Sequence, residues 1–181
     1  MPGKLRIIGG IWRSRKIDVI NVTDLRPTPD RVRETLFNWL QPSISGARCL
    51  DLYAGTGILG FEALSRGAAS AVMVEHNKSL ARQLEHQALN LEAKNCQVFC
   101  TEVSGWLNIC HDAFDIIFLD PPYKANLAGN NIKQLLNCGC MKQGTQIYFE
   151  SDNELEEVDP CLQLIKSGKA GLVQYRLFSC V

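Results

Sequence analysis

The stretch Ile116-Ile117-Phe118-Leu119-Asp120-Pro121-Pro122-Tyr123 joins a short apolar run to an acid, two prolines and an aromatic residue. Residues 115–119 have the continuous β-branched and aromatic character of a strand that is covered on both faces. Pro121 and Pro122 must end this strand, because neither can donate a backbone hydrogen bond to a neighbouring strand. Asp120 and Tyr123 are therefore predicted at the carboxyl end of a buried strand, where open α/β sheets bind ligands.

These side chains suit the transfer of a group to an exocyclic amine of a nucleic-acid base. Such an amine is a poor nucleophile, because its lone pair is delocalised into the ring. The Asp120 carboxylate and the Pro121 carbonyl can each accept one N–H and turn the lone pair toward an electrophile, while Tyr123 stacks on the base. The alternative is structural: Asp120 caps the next helix, the prolines form a rigid turn, and Tyr123 packs.

A second strand, residues 49–53, leads into a glycine-rich turn and then a helix at residues 61–65. Gly55, Gly57 and Gly60 form a G-x-G-x-x-G pattern, which dinucleotide-binding sites also have, so the pattern alone does not select the ligand. The next strand, residues 71–75, ends in Glu75, about 20 residues further on, where a carboxylate can hold both ribose hydroxyls. The context indicates a nucleotide-like ligand.

Strand and helix patterns alternate from Cys49 to Glu150, which predicts an α/β fold with a doubly wound, mostly parallel sheet. Seven strands are expected, with an antiparallel edge made by residues 162–165 and 172–178 around a turn at 167–171. Glu102 follows the strand at residues 97–100. Its side chain can accept from an adenine amine, or it can serve as a helix N-cap or first-turn acid.

The N-terminal part of the chain is basic. Residues 1–48 hold nine Lys or Arg and four Asp or Glu, a net charge of +5, whereas the rest holds ten basic and fifteen acidic residues, a net charge of −5. Residues 4–8 and 15–20 alternate as a β-hairpin, with Leu5 and Ile7 on one face, and a helix follows at residues 32–40, capped by Thr28 or Asp30. This charge distribution suits binding to a polyanion. The alternative for the segment is a disordered leader, and the alternative for Trp12 is a packing role.

Composition excludes several classes of protein. The 181 residues are 46% hydrophobic and 21% charged, as in an ordinary soluble domain, and neither a membrane span nor an apolar signal core is evident. We expect a cytoplasmic protein. Eight cysteines contain no C-x-x-C pair and no zinc-ligand spacing, so they are interpreted as reduced structural thiols, with Cys138 and Cys140 the most exposed pair.

Three motifs stand in fixed order: residues 51–57 (Asp-Leu-Tyr-Ala-Gly-Thr-Gly), Glu75 at a strand end, and residues 120–123 (Asp-Pro-Pro-Tyr). Together they resemble class I S-adenosylmethionine-dependent methyltransferases that act on exocyclic base amines. Residues 6–10 (Arg-Ile-Ile-Gly-Gly), Trp12-Arg13, residues 26–28 (Arg-Pro-Thr) and residues 30–39 (Asp-Arg-Val-Arg-Glu-Thr-Leu-Phe-Asn-Trp) narrow this further. They closely resemble the bacterial small-subunit rRNA guanine-N2 methyltransferase (RsmD) family over nearly the whole chain.

This resemblance implies methylation of a guanine N2 amine in 16S rRNA, with S-adenosylmethionine as cofactor and no metal. The implied catalytic residues are Asp120, Pro121, Pro122 and Tyr123. The implied cofactor-binding residues are Arg26, Thr28, Asp51, Ala54, Gly55, Thr56, Gly57, Glu75, Glu102 and Asp120. The expected RNA-binding residues are Lys4, Arg6, Trp12, Arg13, Arg15, Lys16, Arg31 and Arg33.

We expect residues 1–45 to form an RNA-facing hairpin and helix extension, and residues 46–181 to form the methyltransferase domain. The expected substrate is rRNA within a small ribosomal subunit or an assembly intermediate, and the expected state is a monomer. Three alternatives stay open: the same chemistry on adenine N6, a nicotinamide-dependent oxidoreductase built on the glycine pattern, and a non-catalytic RNA-binding module.

Overall fold

The chain alternates between strands and helices after an N-terminal hairpin. The computed structural model describes residues 3–20, 28–121, 125–151, 159–171 and 173–181, with the backbone alone at 125–129. In chain order the elements are β1 (Gly3–Arg6), β2 (Lys16–Val19), α1 (Asp30–Trp39), β3 (Arg48–Leu52), α2 (Ile58–Ser65), β4 (Ser70–Glu75), α3 (Lys78–Asn90), β5 (Cys96–Cys100), α4 (Val103–Leu107), β6 (Ile116–Leu119), α5 (Ala125–Asn137), β7 (Gln146–Ser151), β8 (Leu162–Ala170) and β9 (Val173–Cys180).

Within the described residues, seven of these strands form one sheet in the order β5-β4-β3-β6-β7-β9-β8. The pairs from β5 to β7 are parallel, and β9 runs antiparallel to both β7 and β8. β1 and β2 form a separate antiparallel pair. The predicted fold class is confirmed, including the antiparallel edge and the N-terminal hairpin.

The strand order reverses between β3 and β6. From β3 the chain moves outward through β4 to β5, and it then returns to place β6 on the other side of β3. In register, Leu52 of β3 pairs with Val74 and with Leu119, and Leu119 pairs with Phe149. The carboxyl ends of β4, β3, β6 and β7 therefore meet at one edge, and a topological switch point of this kind is where such sheets bind ligands.

Alternation along β6 divides the core into two layers. Ile116 and Phe118 belong to the cluster that includes α1 and α2, whereas Ile117 and Leu119 belong to the cluster that includes α4 and α5. All four side chains are fully buried. A strand that is apolar on both faces is what a sheet covered by helices on both sides requires.

The hairpin is held to α2 by a group of polar side chains, which we call the Glu62 cluster: Glu62, Arg33 and Ser65, which are buried, and Arg66, which is half-buried. The Glu62 carboxylate accepts from the backbone N–H groups of Ile8 and Gly9 at 2.7 and 2.8 Å. The Ser65 hydroxyl accepts from the backbone N–H of Trp12 and donates to the Gly9 carbonyl. Ile7 and Ile17 are fully buried beneath these contacts, so the hairpin packs on the domain.

Two local predictions are wrong. Neither Thr28 nor Asp30 caps α1, since the N-cap residue is Pro29 and no side chain caps this end. The predicted turn at residues 167–171 lies largely inside β8, and the chain reverses after Ala170. Gly168 belongs to the strand because the Tyr175 ring occupies the space where a Cβ would sit, and Gly171 has the positive φ that a turn uses.

All eight cysteines lie in described residues as free thiols. Cys140 is fully buried, contrary to the exposure predicted for it, because the segment after α5 pairs its carbonyl with the Phe114 N–H and places the thiol in the core. In the described parts of the chain, no helix has both the length and the apolar character needed to cross a membrane.

Candidate active site

The turn after β3 is the first part of the candidate site. Gly55 and Gly57 have φ of 54° and 70°, and Tyr53 also has a positive φ of 62°. Such a conformation is rare outside glycine and marks a strained position. The Ala54 N–H bonds to the Val74 carbonyl, and the Gly57 N–H bonds to the Ala54 carbonyl at 2.7 Å, so the turn is fixed before any ligand binds.

Glu75 lies at the end of β4 directly beside this turn, as predicted. One oxygen accepts from the Gly55 N–H at 2.9 Å, and the other accepts from the Asn77 N–H at 2.8 Å and lies 3.2 Å from His76 Nδ1. The side chain is buried. Each carboxylate oxygen accepts more than one hydrogen bond, so a held Glu75 can still accept from two ribose hydroxyls, and the cradle fits a nucleoside.

Asp51 supports the turn from the strand itself. Its carboxylate accepts from the Gly60 N–H at 3.1 Å and is buried. Burial, with a smaller contribution from the nearby Glu75 carboxylate, raises the pKa of Asp51 to about 8. A cation bound in this crevice would lower that pKa, because an opposite charge favours the ionised carboxylate. The acidic lining thus suits a ligand with cationic groups.

The glycine pattern has a packing cause. A Cβ on Gly57 would lie 2.3 Å from Leu84 Cδ2, and a Cβ on Gly60 would lie 2.4 Å from Met73 Cε. These two glycines allow close contact between α2, α3 and the sheet. The G-x-G-x-x-G spacing therefore reflects a tight strand-turn-helix junction, and it gives no separate support to a dinucleotide.

Asp120 lies across the switch point from the glycine turn. It follows Leu119, which pairs with Leu52, and its side chain is half-buried. Pro121 is also half-buried and follows directly. Pro122 and Tyr123 lie outside the described residues, and so does Arg26. Asp120 thus lies at the carboxyl end of a buried strand, as predicted, and the parallel register places that end beside the strand that leads into the residue 51–57 turn.

A neighbouring acid, Glu150, was missed by the sequence reasoning. It follows Phe149 on β7, and one of its oxygens accepts from the Thr28 hydroxyl at 3.0 Å and from the Tyr148 hydroxyl at 2.6 Å. Burial raises the pKa of Glu150 above its ordinary value, and the two hydroxyl donors offset only part of this rise. The available signal was its position, because Glu150, like Glu75 and Asp120, is an acid at the end of a strand.

Asn131 of α5 was also missed. Its side-chain amide donates to the Tyr53 hydroxyl at 2.7 Å, and the residue is buried. This contact ties the strained Tyr53, at the start of the glycine turn, to the helix that follows the Asp120 segment. No sequence pattern relates two polar residues 78 positions apart.

Thr28 and Glu102, both predicted as cofactor-binding residues, lie on different sides of the site, and Glu102 occupies the N-cap position that was its alternative. Thr28 is buried and bonds to Glu150, which places it on the β7 side of the crevice. Glu102 stands at the N-cap position of α4 with no side-chain cap bond, and its side chain is exposed. The preceding Thr101 N–H bonds to the Glu75 carbonyl, so Glu102 lies near the ribose-side acid, and its contact with adenine stays a prediction.

The predicted RNA-binding residues differ in their exposure. Six basic residues have exposed side chains: Lys4, Arg6, Arg13, Arg15, Lys16 and Arg31. Trp12 is half-buried and packs partly on the core, which agrees with a packing role. An RNA contact by Arg33 is wrong, because its side chain is fully buried and bonds to the carbonyls of Arg6 and Thr28.

A glycine-rich turn bonded to a buried acid at a strand end, at the switch point of a parallel sheet with an antiparallel edge, places the chain among the class I S-adenosylmethionine-dependent methyltransferases. S-adenosylmethionine is the cofactor of this class, and the glycine turn with Glu75 fits its nucleoside. The family model described as "Conserved hypothetical protein 95" matches residues 5–179, and the chain belongs to this family.

Relatives of known name agree with this assignment. The chain is 43% identical to "Ribosomal RNA small subunit methyltransferase D" of Escherichia coli K12, over 97% of this chain and 90% of that protein. It is 41% identical to the protein of the same name from Haemophilus influenzae, over 97% and 94% of the two chains. The solved structure of a putative methyltransferase from Escherichia coli superimposes with a TM-score of 0.92 at 40% identity, covering 98% of both chains.

Proposed function

We propose that this protein methylates the exocyclic N2 amine of a guanine in 16S rRNA, using S-adenosylmethionine, by direct in-line transfer. One observation carries the proposal: Asp120, at the end of β6, lies across the switch point from the glycine turn and Glu75, because Leu119 pairs with Leu52. The names of the relatives, which specify small-subunit rRNA, support the choice of nucleic acid.

The protein supplies position and electrostatics. S-adenosylmethionine, when bound, would supply a methyl group on a sulfonium; in a single displacement the new N–C bond would form as the C–S bond breaks and a neutral thioether leaves. The Asp120 carboxylate and the Pro121 carbonyl accept the two N–H bonds of the amine, which turns the nitrogen lone pair out of the ring plane. Tyr123 stacks on the base after it leaves the RNA stack. The nitrogen gains a methyl group and releases one proton, which Asp120 accepts.

The exposed basic residues of the hairpin and α1 form the proposed RNA-binding surface. Two of them have exposed partners, Lys4 with Asp18 at 3.3 Å and Arg6 with Asp30 at 3.5 Å. Exposed ion pairs contribute little stability, so RNA phosphates can replace these partners. We accordingly assign residues 1–45 to the RNA-facing extension and residues 46–181 to the cofactor-binding domain.

The proposed substrate is a small ribosomal subunit or an assembly intermediate, and the proposed enzyme is a cytoplasmic monomer. The basic hairpin suits the polyanionic RNA, and the acidic residues at the carboxyl ends of the strands suit the cationic cofactor. The adenine N6 reaction uses the same Asp120 geometry, so the identity of the base is the point that needs a direct test.

The test incubates the purified protein and methyl-labelled S-adenosylmethionine with small subunits that lack the modification, followed by digestion and nucleoside chromatography. Label in N2-methylguanosine is the expected result. Label in methyladenosine would keep the site and overturn the base assignment. Measurable cofactor binding without label on subunits or free rRNA would overturn the catalytic role on rRNA.

A variant tests the role of Asp120. Asp120→Ala removes the acceptor for the amine, and it is expected to abolish turnover while the S-adenosylmethionine dissociation constant changes little. Glu85→Gln, on the exposed face of α3, is the matched control and should keep wild-type turnover. Near-normal turnover by Asp120→Ala would contradict the assigned role.

A further inference from the structure

We propose that Glu150 is the specificity-determining residue that selects guanine over adenine, by accepting the N1–H of the target base while Asp120 accepts from its N2 amine. This inference rests on the proposed function and extends it. It gives a role to a carboxylate that the reaction itself does not use.

The register places the two carboxylates side by side. Leu119 of β6 pairs with Phe149 of β7, so Asp120 and Glu150 follow equivalent positions on neighbouring parallel strands, which lie about 4.8 Å apart. Burial raises the pKa of Tyr148 most, and the nearby charges of Glu150 and Asp120 raise it further. The two acids therefore lie on the Tyr148 side of the sheet, where α1 packs.

The Glu150 carboxylate is fixed before substrate binds. The Thr28 and Tyr148 hydroxyls both donate to the same oxygen, Oε1, and the two donor residues are buried. Two hydroxyl donors on one oxygen hold the plane of the carboxylate and orient its second oxygen, Oε2. They favour the ionised form, which accepts hydrogen bonds and cannot donate one, and so offset part of the rise in the pKa of Glu150 that burial causes.

The Watson–Crick edge of guanine complements this pair of acceptors. Its N1–H and its N2 amine are adjacent donors, so two neighbouring carboxylates can accept from both. Adenine also has an exocyclic amine, but the adjacent ring nitrogen N1 carries a lone pair that would face the Glu150 carboxylate. A buried acceptor left without a donor, or facing a second acceptor, opposes binding strongly. The arrangement thus accepts guanine and rejects adenine.

The experiment uses 2-aminopurine, which keeps the N2 amine but has a lone pair at N1 in place of N1–H. Small-subunit rRNA is prepared with guanine or 2-aminopurine at the nucleotide that the wild-type enzyme methylates. Single-turnover rates at subsaturating RNA are then measured for the wild-type protein, for Glu150→Gln and for the control Glu85→Gln. S-adenosylmethionine binding is measured for each protein by calorimetry.

Wild-type protein is expected to prefer guanine over 2-aminopurine by on the order of 100-fold, the size of a lost charge-assisted hydrogen bond in a dry site. Glu150→Gln should reduce this preference to below about tenfold, because its carboxamide can donate to the N1 lone pair, with cofactor affinity unchanged. A purely structural role for Glu150 would lower both rates together and leave the ratio unchanged.

Two results would overturn the inference. Equal wild-type rates on guanine and 2-aminopurine would show that N1–H is not read, and this result needs no variant. An unchanged preference in Glu150→Gln would assign the reading of N1–H to another group while N2 methylation stands. Wild-type label in methyladenosine would instead refute the proposed function itself, so the two failures are distinguishable.

Discussion

The Glu62→Gln substitution tests whether the Glu62 cluster holds the hairpin to the domain. The carboxylate accepts from the N–H groups of Ile8 and Gly9 and from Arg66 Nε at 2.8 Å, and it lies 3.6 Å from Arg33 Nη1. Glu62 and Arg33 are fully buried. The substituted carboxamide keeps one acceptor oxygen, but its NH2 group would face donors.

The expected loss follows from these contacts. Removing one partner of a buried ion pair costs about 3–5 kcal/mol, because the other charge stays buried. Arg33 retains a second carboxylate, Asp30, at 2.5 Å, which favours the lower end of that range. A loss of about 3 kcal/mol corresponds to a decrease of roughly 6–12 °C in the melting temperature of a domain of this size.

The assay is urea unfolding followed by circular dichroism, combined with hydrogen exchange of the hairpin amides. Glu85→Gln removes an exposed charge and should stay within about 0.5 kcal/mol of wild type. In Glu62→Gln the exchange rates of the Ile8 and Gly9 amides should rise above their wild-type values by more than those of the β3 amides. A loss below about 1 kcal/mol, or unchanged exchange of these amides, would refute the anchoring role.

Three further outcomes are expected. Burial raises the pKa of Asp51 from 3.8 to about 8, so its stabilising contribution is complete below about pH 4 and is lost as pH rises through 8. Between pH 5 and 7.5 the unfolding free energy of wild type, measured in urea titrations, should fall by up to roughly 3 kcal/mol relative to Asp51→Asn. Parallel pH profiles of the two proteins would contradict this. Gly57→Ala should cost about 2–4 kcal/mol in thermal unfolding, because it combines a φ of +70° with overpacking against a leucine. The control Gly46→Ala has a similar φ of +76° but open space around it, and it should cost about 1–2 kcal/mol. Equal losses in the two variants would exclude the packing explanation. The double substitution Arg13→Gln and Lys16→Gln should weaken RNA binding and reduce the slope of log K against log salt by about 2 in filter-binding titrations, and an unchanged slope would place the RNA elsewhere.

The sequence predicted the parts of the site that follow from strand order. Asp51, Glu75 and Asp120 each end or lie in a strand, and parallel strands bring their carboxyl ends to one edge, so local pattern was enough to place them together. The positive φ at Gly57 and the turn into α2 were predictable for the same reason. Their roles toward cofactor and base stay predictions, as does every contact of the segment that contains Tyr123.

The remaining features depend on contacts distant in sequence. Arg33 lies in a basic segment and gives the same local signal as exposed Arg31, yet its partner Glu62 is 29 positions away and buries it. Glu150 became significant only when β7 was placed beside β6, and Asn131 only when α5 approached Tyr53. Helical and strand periodicity assigns a residue to a face, but it does not reveal which polar residue another element covers.

Helix α2 connects two regions with separate proposed tasks. All eight of its residues are buried; its first turn continues the cofactor loop, and Glu62 and Ser65 hold the hairpin. At 1.5 Å per residue it is about 12 Å long, and as a buried element it is close-packed against its neighbours. If the hairpin binds RNA phosphates, the distance from these phosphates to the reactive amine is constant. The enzyme would then select its nucleotide partly by the distance between the hairpin and the active site. Lengthening the hairpin by one residue pair would then move methylation along the RNA, without any change in the residues that perform it.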